Sequence, residues 1–382
     1  MRKIVAGLSF GAVITTVLLA ASPGSLIWEA RPGFRDFGAM IESGGLVVTG
    51  NITGEGGIFA FDAATGALRW RFRGGQMLGY PVTDGEAVFV VTSVPDRRLV
   101  ALGLKTGKLL WSVTEERIGN DFGPLVDGGK VYLVSRNGKV NAYEARTGKP
   151  VWEFAYSPLK GECSTGLALS GNRLFFGGGD EPRPHSEGKS LWALDASTGK
   201  MVWRYRATVS PTDEDGQCVS TPAVSGGLLV STAAHTVFAL DAASGAPRWK
   251  KTVERMVNRD MKPRVLSQVL IAGGAVYSYF PEGLTSWSLS NGAPLMELPG
   301  KFPDSNFSVR LTEFDGVLYF VGDLASDGES AGRSLLHALD LKTRKVLWTH
   351  PVAPDNWTTG YLLPTAGGVY YENQKVLAKV AR

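Results

Sequence analysis

Several familiar devices are missing from this chain of 382 residues. Cysteine is nearly so: there are two, Cys163 and Cys218, and neither lies near the N-terminus, so no lipid can be attached to an N-terminal cysteine. Histidine is scarce, and His185, His235, His337 and His350 do not pair at metal-ligand spacing. Asp213-Glu214-Asp215-Gly216 lacks the length and the later Glu of a Ca²⁺ loop. Neither a Gly-x-Ser-x-Gly elbow nor a phosphate loop is present, which removes support for nucleophilic hydrolysis and nucleotide use. The net charge is only +4, and Arg2 and Lys3 supply two of those charges, so no nucleic-acid groove is indicated. Helical periodicity is absent beyond the N-terminal segment, and only one apolar run is long enough to concern a membrane.

That run extends from Ile4 to Ala21, behind Arg2-Lys3 and ahead of Ser22-Pro23-Gly24. It has the charged start, apolar centre and small-residue end of a secretory signal over residues 1–22, with an uncleaved anchor as the alternative. An exported protein of the periplasm or cell envelope, and not a lipoprotein, is the resulting expectation.

The rest of the chain is organised by one repeated phrase. Phe59-Ala-Phe-Asp-Ala-Ala-Thr-Gly-Ala-Leu-Arg-Trp70 returns with its tryptophan at Trp111, Trp152, Trp203, Trp249 and Trp348, and counting a copy that ends at Met296 the units recur at intervals of 41 to 52 residues. A worn copy has Asn291-Gly292 and Met296 in the Trp position, and the copy ending at Trp348 has Arg344 where the others have Gly. Each unit reads as four short strands with a Gly-containing hairpin between the third and fourth. Arg344 therefore predicts a different or strained turn. Four-stranded units repeated at this length predict an all-β propeller. The final unit, from Gly367 to Val380, stops before its Gly and Trp, and Gly24-Ser25-Leu26-Ile27-Trp28 supplies them. Seven whole units and one split unit give eight blades of four antiparallel strands over residues 23–382, the last closed by the N-terminal strand. Trp28, Trp70, Trp111, Trp152, Trp203, Trp249 and Trp348 are read as blade-docking side chains, large enough to fill the gap to the next blade and carrying one N–H for a backbone carbonyl.

The Ala-x-Asp-x-x-Thr-Gly-x-x-x-Trp phrase resembles the pyrroloquinoline quinone (PQQ)-type propeller repeat over nearly all of the chain after Ala21. Two branches of that family are relevant. The quinoprotein dehydrogenases carry adjacent cysteines over the quinone and a Glu–Asn–Asp set on Ca²⁺, and no residue here falls on those motifs. The other branch is the BamB-type propeller of the outer-membrane β-barrel assembly machinery, similar in length, blade number and repeat. It grips its partner with a loop reading Leu-Arg-Gly-Glu, which Leu159-Lys160-Gly161-Glu162 resembles with Lys for Arg. The resemblance implies a non-catalytic interaction scaffold without cofactor, whose envelope partner is a β-barrel assembly subunit. A small PQQ- and Ca²⁺-dependent oxidoreductase and a glycan- or ligand-binding propeller are the alternatives.

Register also places the two cysteines. Cys163 and Cys218 each lie seven residues before the Ser of Ser170-Gly171 and Ser225-Gly226. Both then fall on innermost strands of adjacent blades, where an interblade disulfide can form; two buried thiols are the alternative. The same alignment puts Asp36, Met77, Asn120, Val265, Ser308 and Thr359 around a wet channel, with Asp121 and Arg310 nearby. Insertions at Gly177 to Ser190 and Gly322 to Ser334 are further places where function can vary.

Overall fold

The computed structural model describes residues 13–16, 22–31, 37–53, 56–93, 97–114, 118, 122–135, 137–156, 165–178, 190–207, 219–233, 236–252, 269–280, 283–301, 311–324, 335–352, 361–373 and 375–382. They form an eight-bladed β-propeller. Blade 1 consists of Ile41–Ser43, Leu46–Asn51, Gly57–Asp62 and Leu68–Phe72, hydrogen-bonded in that order from the axis outward. Blades 2 to 7 span 77–114, 125–155, 168–206, 223–252, 270–301 and 312–351. Blade 8 takes Leu362–Thr365, Gly368–Asn373 and Val376–Val380 from the C-terminal end and Leu26–Arg31 from the N-terminal end.

Ring closure is thus antiparallel pairing of Leu26 with Val380, Trp28 with Lys379 and Ala30 with Leu377. Backbone bonds from Gly24 to the Ala381 carbonyl and from Ala381 to the Ser25 carbonyl, both 2.8 Å, continue it. Val13–Thr16 adds antiparallel to the outer edge of this strand, an addition the sequence did not announce. No helix among the described residues is long and apolar enough to cross a membrane.

Burial explains the strand grammar. Second and third strands are covered on both faces by neighbouring blades, so Leu46–Asn51 and Ala87–Thr92 are buried throughout. Outer strands alternate, as in Leu109–Thr114 and Pro150–Ala155. The core is therefore divided into one apolar cluster per joint. Val48, Trp70, Val88 and Val100 lie between blades 1 and 2; Trp28, Phe59, Phe61 and Tyr370 lie between blades 8 and 1. Met77, expected on a wet channel, is fully buried in the first of these. Its side chain turns sideways because Gly38 and Gly50 leave the room: a Cβ on either would stand 2.7 or 2.6 Å from it.

The tryptophan joints repeat closely. Trp28, Trp70, Trp111, Trp152, Trp203 and Trp249 donate their indole N–H to the carbonyls of Ala63, Leu104, Ala145, Ala196, Ala242 and Leu289 on the next blade, at 2.7 to 3.2 Å. Each ring lies flat against the hairpin glycine of that blade. A Cβ on Gly66, Gly107, Gly148, Gly199, Gly245 or Gly292 would stand 2.5 to 2.7 Å from the ring, and on Gly24 it would stand 3.0 Å from Trp348. These glycines have φ between 63° and 79°, so two requirements, a left-handed backbone and a missing side chain, meet at one position.

Candidate interaction site

The topology gives the disc two unlike faces. Hairpins joining first to second and third to fourth strands open on one face, here the turn face. They are short and internally bonded: Asp62 Oδ1 accepts from the backbone N–H groups of Ala64 and Thr65 and from the Thr65 hydroxyl, and Asp195, Asp241 and Asp340 cap their turns similarly. These donors, with Arg69 on Asp62 and Arg248 on Asp241, hold the four carboxyls below the usual range. The connections between blades, and those from second to third strands, leave from the opposite face, here the loop face. Leu159, Lys160, Gly161, Glu162, Cys163 and Cys218 lie outside the described residues, as do Asp36, Asn120, Asp121, Val265, Ser308, Arg310, Thr359, His185, His235 and the Asp213–Asp215 turn.

What is described is the frame from which the Leu159–Glu162 connection departs. The chain leaves blade 3 at Tyr156 and returns at Thr165 ahead of blade 4. Tyr156 is anchored by its N–H on the Gly138 carbonyl at 2.9 Å and by edge-on packing against Phe176, with ring centres 5.1 Å apart. Trp192 stacks on Phe176, takes Phe154 on its edge, and carries the Arg204 guanidinium 4.7 Å over its face. Gly178 admits Tyr156, since a Cβ there would stand 2.5 Å from its ring. At the other end Thr165 is held by its N–H on the Gly177 carbonyl and its hydroxyl under the Gly177 N–H; Gly166 then bonds Thr221 of blade 5. Among the described residues the Tyr156 hydroxyl and the Trp192 indole N–H, both buried, have no hydrogen-bond partner, a rare condition for native polar groups, and burial pushes the Tyr156 hydroxyl far above its ordinary pKa. Sequence periodicity could not single out this aromatic box, because Phe154, Phe176 and Trp192 read as ordinary strand residues.

Of the residues expected around the axial passage, only Met77 is described, and it turns into the core. Tyr80 of blade 2 and Tyr361 ahead of blade 8 meet edge to face at 5.8 Å although blade 1 separates their blades, so aromatic rings narrow the passage there. Tyr80 also donates its N–H to the Phe122 carbonyl, where Gly79 and Gly123 bring two backbones together. Among the described residues no group of three or more His, Cys, Asp or Glu side chains stands together to hold a metal ion.

Of the remaining histidines, His337 lies in a strand, stacked on Phe320 with Nε2 3.0 Å from the Gly322 carbonyl. His350 Nδ1 donates to the Gly24 carbonyl at 2.9 Å, which leaves Nε2 to accept from the Tyr371 hydroxyl at 3.1 Å. The joint of blades 8 and 1 holds a buried cation that sequence reading missed. Lys379 Nζ, the Tyr370 hydroxyl and the Trp28 indole all donate to the Ala63 carbonyl, and Lys379 sits 4.8 Å over the Tyr370 ring. Burial pulls the Lys379 pKa down, against the opposing pull of Glu42 and Asp62.

Fold, blade number and joint geometry define a PQQ-like eight-bladed propeller. The chain belongs to the family whose model is described as outer membrane protein assembly factor BamB, matched over residues 15–156 and 136–375. It is 29% identical over 209 residues to the outer membrane protein assembly factor BamB of Burkholderia pseudomallei, covering 51% of each chain, so the chain spans about half the length of that relative. It is also 28% identical over 305 residues to the tetrathionate hydrolase of Acidithiobacillus ferrooxidans, covering 77% of this chain and 51% of the relative. A 28% identity over 230 residues links it to the quinoprotein alcohol dehydrogenase PedH of Pseudomonas putida, covering 56% of this chain and 37% of the relative. The crystal structure of BamB from Moraxella catarrhalis superposes with a TM-score of 0.56 at 19% identity, covering 74% of this chain and 81% of that one, a likeness of fold.

Proposed function

We propose that this protein is a non-catalytic scaffold of the cell envelope that assists the assembly of outer-membrane β-barrel proteins. The family-model match across both halves of the ring carries this reading. Its supporting chemistry is the contrast between faces: tight self-bonded hairpins on one, and on the other the blade 3–4 frame at the ends of the connection whose sequence includes Leu159 and Lys160. One apolar side chain beside one cation suits a small anchor on a partner that bears a carboxylate. Residues 1–22 direct export, and Cys163 with Cys218 staples blades 4 and 5. The test is capture from a solubilised envelope. Wild-type protein should retain a β-barrel assembly subunit, and Leu159→Asp with Lys160→Glu should release it while thermal unfolding is unchanged. Capture that survives both substitutions would move the site elsewhere; failure of the wild type to capture any such subunit would remove the reading.

A second reading rests on the similarity to a quinoprotein alcohol dehydrogenase. Under it the protein binds PQQ with Ca²⁺ and oxidises an alcohol. Incubation with both, followed by a search for quinone absorbance and dye-linked alcohol oxidation, separates the readings: either signal favours the enzyme.

A further inference from the structure

The outer hairpins of blades 2, 3 and 4 depart from those of blades 1 and 5. In blades 1 and 5 the outer-strand arginine is neutralised within its own hairpin, Arg69 on Asp62 at 2.8 Å and Arg248 on Asp241 at 2.6 Å. Blades 2, 3 and 4 instead place a lysine directly after the hairpin glycine, at Lys108, Lys149 and Lys200, with Lys105 and Arg146 on the near side of the first two turns. All five are exposed, and among the described residues none of their side chains has an ionic or hydrogen-bond partner. The carboxylates beside them are engaged: Glu144 by the Thr147 hydroxyl, Asp195 by Asn172 and by its own turn. Nearer the axis the turn face of these blades carries Asp84, Glu86 and Asp127 against Lys130 and Arg173, the latter 3.7 Å from Asp195, so the excess positive charge lies at the rim.

Aliphatic side chains stand beside these cations. Leu109 is 47% exposed, Leu110 57%, Val151 42%, Met201 52% and Val202 39%. They begin the outer strands, at the corner between the turn face and the wall of the disc. The tryptophans that follow are turned inward to the joints, so this rim has few of the aromatic anchors and arginines that mark protein interfaces, and it is rich in lysine, which such interfaces avoid. Free lysines interleaved with exposed aliphatics are instead what an anionic lipid surface recruits. The cations approach the headgroups, and the aliphatics enter the boundary with the acyl chains.

We infer that the turn-face rim of blades 2, 3 and 4 docks on an anionic lipid bilayer. This leaves the loop face, including the blade 3–4 frame, free for a partner. The experiment is flotation of the full chain with phosphatidylcholine vesicles that contain or lack one-third phosphatidylglycerol. Wild type and variants are run side by side, so that the apolar run from Ile4 to Ala21 is common to all. Association should be stronger with the anionic lipid than without it, and that difference should shrink with added salt. The triple variant Lys108→Glu, Lys149→Glu, Lys200→Glu should lose on the order of a hundredfold in partition, at roughly fivefold per cation. Leu110→Ser with Met201→Ser should weaken binding while leaving its salt dependence. Arg69→Glu with Arg248→Glu, in the self-neutralised hairpins, should leave binding unchanged. The inference fails if the triple variant floats as the wild type does, or if the control pair loses as much. It fails equally if soluble polyglutamate binds the rim while anionic vesicles do not, which would assign the rim to an acidic protein. Unchanged thermal unfolding of each variant keeps these outcomes interpretable.

Discussion

Seven joints of the ring set a tryptophan against a glycine; the eighth, between blades 6 and 7, sets Met296 against Arg344. In sequence these look like two separate lapses of the repeat, about fifty positions apart. In the fold they are one feature. Arg344 keeps the hairpin of its neighbours, with φ at 59° and its N–H on the Asp340 carbonyl at 2.8 Å, as Gly66 bonds Asp62. The turn is thus the ordinary one, held in the left-handed region by a residue that costs about 1–2 kcal/mol there. It is tolerated because the facing ring is gone, and Arg344 reaches back to the Leu295 carbonyl at 2.9 Å. At the opposite end of the same joint the backbone supplies a second tie, with Gly300 paired to Leu324 and Lys301 to Asp323, which makes blades 6 and 7 one continuous sheet. A repeat protein can therefore lose its joint residue where both partners change together and main-chain pairing takes over part of the docking.

The largest expected effect comes from cutting the regular kind of joint where it also closes the ring. Trp28 is fully buried and its indole bonds the Ala63 carbonyl. Trp28→Ala should cost about 3–5 kcal/mol in denaturant unfolding. The corresponding truncation at the irregular joint, Met296→Ala, removes a half-buried side chain and should cost about 1 kcal/mol. Equal costs would mean that the two joints are not different in kind.

A smaller effect tests the pairing itself. Gly199→Arg in blade 4 places a side chain against Trp152, whose ring lies 2.6 Å from the position of the new Cβ. Combined with Trp152→Met, it rebuilds the blade 6–7 arrangement at a regular joint. The double variant should be more stable than the sum of the single changes predicts, by about 1–3 kcal/mol in a double-mutant cycle. Strict additivity would show that Met296 and Arg344 are independent drift.

How much could be read from the letters divides along the same line. The Thr-Gly-x-x-x-Trp spacing gives blade count, closure through Gly24 to Trp28 and hairpin positions, because each residue there meets a local demand of backbone sign or volume. Arg344 could be seen as an anomaly but not resolved, since its tolerance depends on Met296 in another blade. Met77 was misplaced because one-dimensional alignment does not tell which way an inner-strand side chain turns, and Gly38 and Gly50 decide that in three dimensions. Lys379 reads as an ordinary strand lysine; only the fold brings it to the Ala63 carbonyl. Of the proposed interaction site, Leu159–Glu162 is visible as an interruption of the repeat, while the aromatic box at the ends of that connection is invisible, each member having the character of a core residue.

The smallest effect concerns pH, and it separates the joint of blades 7 and 8 from the others. Between blades 7 and 8, Trp348 faces Gly24, and His350 spans the same joint with both ring nitrogens engaged. Desolvation depresses the His350 pKa below its ordinary 6.5, and the bond to Gly24 opposes this only in part. Between the folded and unfolded values the unfolded chain binds more protons, so the contribution of neutral His350 is complete above about pH 6.5 and is lost as pH falls toward the lower folded value. Protonation also makes Nε2 a donor, and the Tyr371 hydroxyl must then turn to accept. The capped hairpin carboxyls, whose folded pKa values are also depressed, contribute stability that is lost only in stronger acid, below the ordinary aspartate range. Denaturation midpoints measured from pH 7.5 down to 5 should therefore decline in the wild type. In His350→Gln, which keeps one donor and one acceptor without titrating, the decline should be shallower, with the two proteins converging as the pH falls. Parallel curves would place the titration that limits the ring outside the joint of blades 7 and 8.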